Sequence, residues 1–185
     1  MLLRYRMSRI AILILASASL VSTSRATTLE RLAFDDMIDQ STMVVRATVI
    51  SSSGILQNGA IYTQYELAVT DKFKGGTRAL KLFVPGGVAG GLRQLVPGAP
   101  TLVPGSEYLI FVWIGKSGRP QVIGLSQGLF NLHKDAVTGQ WLAERPGVQE
   151  MMIDPKTGRP VTDETVRMKL TDIKARVTER IGQTQ

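Results

Sequence analysis

The chain has 185 residues, a formal net charge of +7, no cysteine and one histidine. The length suits one cored domain, and the lack of thiols and imidazoles excludes disulfide staples and the usual zinc and copper sites. Four of the 22 basic residues (Arg4, Arg6, Arg9 and Arg25) precede residue 27 and no acid does, so the remainder carries only +3, without the basic cluster and interleaved aromatics of a nucleic-acid binder.

Residues 1–26 read as a cleavable secretory signal peptide. Arg4, Arg6 and Arg9 precede an apolar run at 10–21, and Ser24-Arg25-Ala26 puts small residues where a signal peptidase reads. The run is too short for the roughly 20 residues that span a bilayer. Cleavage between Ala26 and Thr27 is therefore expected, leaving no stable membrane span and a protein in the periplasm or the medium; an earlier cut after Ala18 stays open. Residues 8–22 should form a helix with few contacts to the domain.

Apolar residues at Phe34, Met37 and Ile38 predict a short helix over 34–40. The period changes at 42–50, where Val45, Ala47 and Val49 alternate with Val44, Arg46 and Thr48 as in a strand. Asn58-Gly59 predicts a tight hairpin turn into a second alternating run, Ile61, Thr63, Tyr65, Leu67 and Val69. Leu80, Leu82 and Val84 mark a third strand, and Pro-Gly pairs at 85–86, 97–98 and 104–105 predict corners. The apolar run 108–114 reads as a central strand buried on both faces. Shorter strands are expected at 121–123 and 129–133, and Thr138-Gly139 predicts a hairpin into Trp141-Leu142. Val166, Leu170, Ile173, Val177 and Ile181 form one stripe of an amphipathic helix that starts after Thr162 or Asp163 and stops at Gly182. That helix reads as docked on the domain or, alternatively, as a membrane-surface or partner-binding helix.

The domain reading is a signal peptide at 1–26, a β-rich domain at 27–147, and a connecting segment with the C-terminal helix at 148–185 packed on the same domain. The fold class is mainly β, α+β: an antiparallel OB-like barrel or a sandwich with a short N-terminal helix and a C-terminal helix.

Motifs with chemistry are few. Residues 124–128 match G-x-S-x-G, but no helix follows and His133 lies only seven residues beyond Ser126, against the order in which hydrolase triads occur. A pair of Ser126 and His133 on adjacent strands is the hydrolase alternative. Gly115-Lys116-Ser117 echoes a phosphate loop, yet Ile110 stands where that motif needs glycine, so it reads as a hairpin loop. Residues 86–91 hold four glycines, a mobile loop or a bend in a barrel wall, or else a binding rim in which Gly87, Gly90 and Gly91 let backbone approach a ligand while Arg93 and Gln94 supply polar contacts. No catalytic residue, metal ligand or cofactor is expected.

With Val84-Pro85-Gly86-Gly87, Asp71-Lys72-Phe73-Lys74-Gly75 and the 122–130 segment Val-Ile-Gly-Leu-Ser-Gln-Gly-Leu-Phe in hand, residues 34–145 resemble a group of uncharacterised exported bacterial β-rich proteins. That resemblance implies no activity, and it implies that Ser126 sits in a structural Gly-x-x-x-Gly segment. More distantly, a helix followed by a meandering sheet is similar to the OB-like barrel of the metalloproteinase-inhibitor and netrin-module superfamily, whose cysteines this chain lacks. The expected function is an exported, non-enzymatic binding or accessory module with another exported protein as partner. The alternative from the barrel analogy is a partner or inhibitor-like module of a secreted protease.

Overall fold

The structure, a computed structural model, describes residues 28–183. The expected signal peptide, its cleavage point between Ala26 and Thr27 and the helix expected at 8–22 lie outside the described residues. The described residues are mainly β with two helices: β1 (Leu29–Glu30), α1 (Phe34–Gln40), β2 (Met43–Gln57), β3 (Ala60–Lys74), β4 (Ala79–Pro85), β5 (Gly87–Ala89), β6 (Leu92–Gln94), β7 (Glu107–Ile114), β8 (Pro120–Val122), β9 (Leu129–Lys134), β10 (Trp141–Arg145), β11 (Met152–Ile153), β12 (Pro160–Val161), β13 (Val166–Lys169) and α2 (Leu170–Gln183). Among the described residues all strand pairs are antiparallel except β1 with β11. The main sheet runs β13-β10-β9-β7-β2-β3-β4, with β8 pairing β7, and no sheet among the described residues closes into a barrel.

The β2–β3 hairpin is the longest element, turned by Asn58 and Gly59 at φ 53° and 76°. It runs past the strand expected at 42–50, because residues 51–57 pair with residues 60–66 although most of them are exposed. Backbone ladders satisfy main-chain donors and acceptors whether or not a side-chain face is buried. At the other extreme, β7 is buried from Tyr108 to Val112, and its side chains alternate between two cores. Tyr108, Ile110 and Val112 join Val45, Ala47, Val49, Leu67 and Leu82 on one side of the sheet. Leu109 and Phe111 join Val44, Phe130 and the helices on the other. A strand with apolar neighbours above and below has no polar positions, which is why its sequence shows a run and not an alternation.

Both helices cover that second face. In α1, Met37 and Ile38 are buried, Phe34 meets Phe111 edge-on at 5.5 Å, and the Ser41 hydroxyl donates to the Met37 carbonyl at 2.6 Å to close the last turn. In α2, Leu170, Ile173 and Val177 occupy the same cluster. The expected start of this helix after Thr162 or Asp163 is corrected: residues 166–169 are strand β13, paired with β10 from Val166↔Arg145 to Lys169↔Leu142. Val166 and Met168 alternate with Arg167 and Lys169, a period of two that the helical stripe masked. Two further features escaped the sequence reading. The glycine-rich segment 86–91 enters a hairpin, β5–β6, and residues 29–30, 152–153 and 160–161 form a small separate sheet.

Candidate functional site

The β5–β6 hairpin is a flap laid across β2 and β3. Thr63 Oγ1 donates to the Gly86 carbonyl at 2.9 Å, and the Gly86 amide donates to the Ile61 carbonyl at 2.8 Å. A Cβ at Gly87 would stand 2.4 Å from Thr63 Oγ1, and one at Gly54 on β2 would stand 1.7 Å from the Val88 carbonyl oxygen. Glycine at both positions is thus what lets the flap lie directly on the hairpin beneath it. Gly90 and Gly91 turn the flap at φ 58° and 75°, the two positive values of a type I′ turn, with open space where their Cβ atoms would be.

Beside the flap lies a depression of about 270 Å³ lined by Thr63, Tyr65, Pro85, Gly87, Arg93 and Gln94 among others. The structure therefore gathers three of the five rim residues, Gly87, Arg93 and Gln94, while Gly90 and Gly91 form the turn beyond it. Their roles differ. The Gln94 side-chain oxygen accepts the Ile61 amide at 2.8 Å, so it anchors the flap. Arg93 is exposed, and among the described residues its guanidinium makes no ion pair or hydrogen bond. The sequence reading missed the apolar members: Val88, Leu92 and Leu95 stand 61%, 60% and 75% exposed. The signal available was three large apolar residues within a glycine-rich segment that offers them nothing to pack against.

A larger cleft, about 480 Å³, opens at the other core between the residues preceding α1, the turn at Asp154 and residues 163–166. On its wall Arg145 donates through Nη1 and Nη2 to the two carboxylate oxygens of Asp163, at 2.5 and 3.2 Å. The Val148 amide adds a third donor at 3.0 Å. Burial pushes the Asp163 pKa up, but the Arg145 and Val148 hydrogen bonds outweigh it and hold the carboxyl below its ordinary value. An ion pair with these three hydrogen bonds clamps the 146–165 segment.

The G-x-S-x-G segment is a tight turn. The Ser126 amide donates to the Gly124 carbonyl and the Leu129 amide to the Ser126 carbonyl, and a Cβ at Gly128 would press on Phe111 and Ile123. No hydrogen bond joins Ser126 to His133, whose Nε2 lies 3.9 Å from Glu144, both side chains being partly exposed. The residue of this segment with a distinct task is Gln127, which is buried. Its amide nitrogen donates to the Glu30 carbonyl at 2.8 Å and its oxygen accepts the Leu32 amide at 2.9 Å, fixing the backbone between β1 and α1. Among the described residues no group of three or more His, Asp or Glu is gathered to hold a metal ion, and no helix is long and apolar enough to cross a membrane. No protein-family model matches the chain, and no curated protein matches it.

Proposed function

We propose that the protein is an exported, non-enzymatic binding module that engages another exported protein through the flap. The observation that carries this reading is the concentration of exposed Val88, Leu92 and Leu95 around an unpartnered guanidinium, on a hairpin seated by glycine contacts and by Gln94. Isolated surface leucines need no explanation; a rimmed apolar patch on one rigidly seated element is the signature of an interaction site. The signal-peptide pattern at 1–26 supports export to the periplasm or the medium.

The finer fold we propose is OB-like, since β4 and β8 come close across the open seam of the sheet without pairing. That likeness supports a secreted protease as one candidate partner, by analogy of fold alone. Pull-down from the producing cell's exported fraction tests the reading, with the full chain compared against a Leu92→Asp/Leu95→Asp variant and a Val137→Asp control far out on another loop. Recovery of a protein by wild type and control, and its loss in the flap variant, is expected. Equal recovery by all three overturns the proposal.

A further inference from the structure

We infer that the free edge of β6 takes an extended segment of the partner protein as an added strand, one that carries apolar side chains and a carboxylate; this rests on the flap being the ligand face. A two-residue type I′ turn makes the residues flanking it, Ala89 and Leu92, the hydrogen-bonded pair, so the next pair, Val88 and Arg93, directs its backbone groups outward. The position of the Val88 carbonyl agrees, because it faces Gly54 on β2 and not β6. On the opposite strand the Arg93 N–H and C=O therefore point away from β5, and among the described residues neither bonds to any element outside the hairpin.

An edge built to resist pairing carries charge or proline and keeps large apolar residues off its flanks. This edge has one charge, Arg93, with exposed Leu92 beside it and Leu95 just past its end. Outward main-chain donor and acceptor, leucines on either side and a guanidinium between them match strand addition, in which backbone bonds supply affinity and alternate side chains supply choice. The guanidinium fork has no acid of its own, and a carboxylate on the incoming segment would complete it. A glycan or a lipid would leave that backbone pattern unread.

The test is selection of a random peptide library against the purified full chain, followed by titration of the enriched peptide. Enriched peptides should be apolar with an Asp or Glu, and Arg93→Glu should weaken them by at least about tenfold while favouring a Lys-substituted peptide. Main-chain N-methylation at alternate peptide residues should abolish binding in one register and spare it in the other. Peptides without an acid, binding indifferent to Arg93→Glu, or tolerance of N-methylation in both registers overturns strand addition. If no peptide is enriched but the flap variant still loses its protein in the pull-down, strand addition falls and the flap reading stands; if neither depends on the flap, both fall.

Discussion

Arg145 and Asp163 face each other as a two-point pair, 5% and 3% exposed, at the junction of β10 with the segment that returns to β13. Removing one partner strands the other charge in the interior. Asp163→Ala should therefore cost about 3 to 5 kcal/mol, measured as a shift of the urea midpoint, whereas an exposed acid such as Glu179 changed to Ala should cost under about 1. A loss below 1 kcal/mol for Asp163→Ala would mean that the pair is only a surface contact.

The same carboxylate gives stability a pH dependence of defined sign. Its pKa is lowered in the folded protein, so the stability it supplies is complete above the ordinary carboxyl range near about 4 and is lost as pH falls through the folded value. Glu107 behaves alike, held down first by the hydrogen bond from Arg46 at 2.5 Å. Urea midpoints measured from neutral pH downward should stay flat and then fall in the acid range, and the fall should be shallower in Asp163→Asn. An unchanged slope in that variant would remove Asp163 from the acid response.

The seat of α2 separates apolar from ionic contributions. Ile173 is fully buried in the second core, whereas the Arg176 to Asp35 pair beside it is roughly half exposed. Ile173→Ala should cost about 2 to 4 kcal/mol and Arg176→Ala less than about 1, the latter shrinking further in salt. Thermal melts at low and high ionic strength decide between them.

Gly54→Ala probes the flap without touching its own residues. The added methyl would lie 1.7 Å from the Val88 carbonyl oxygen, so β2 and β5 must part. Amide chemical shifts over residues 86–95 should move while those of α2 stay, and partner recovery should fall with them. Unmoved flap resonances would show that β5 does not rest on Gly54.

Gln127→Leu keeps the volume of a buried side chain but deletes both of its hydrogen bonds to the backbone at Glu30 and Leu32. The orphaned amide and carbonyl should cost about 1 to 3 kcal/mol. Hydrogen exchange at the Leu32 amide should quicken more than at amides of β7, and equal protection in the variant would count against the clamp.

The long hairpin, the central strand β7 and α1 were legible because each satisfies one local rule: an Asn-Gly turn between alternating runs, an apolar run too short for a helix, an i, i+3, i+4 spacing. The start of α2 was misread because Val166 fits a helical stripe and a strand alternation equally, and only pairing with Arg145 on β10 decides between them. The rim was half legible. Glycines marked a close approach, but which neighbour approaches, Gly54 or Thr63, depends on residues more than 20 positions away in the chain. Gln127 was hidden for the same reason: a buried amide reading the backbone at Glu30 leaves no periodic trace, and its distance of 97 residues from that carbonyl is invisible to any local pattern.

The contact between Asp35 and Arg176 joins residues 141 positions apart, and it sits where α1 lies against α2. A ribosome delivers α1 long before α2 exists. Until residues 170–183 arrive, part of the apolar cover of Phe111, Phe130 and Ile38 is absent, so that face must wait open. Closing so long a loop is also entropically slow. The second core is thus complete only once residues 170–183 have been made, and loss of that helix would leave the face it shares with Met37 and Ile38 partly uncovered and prone to aggregate.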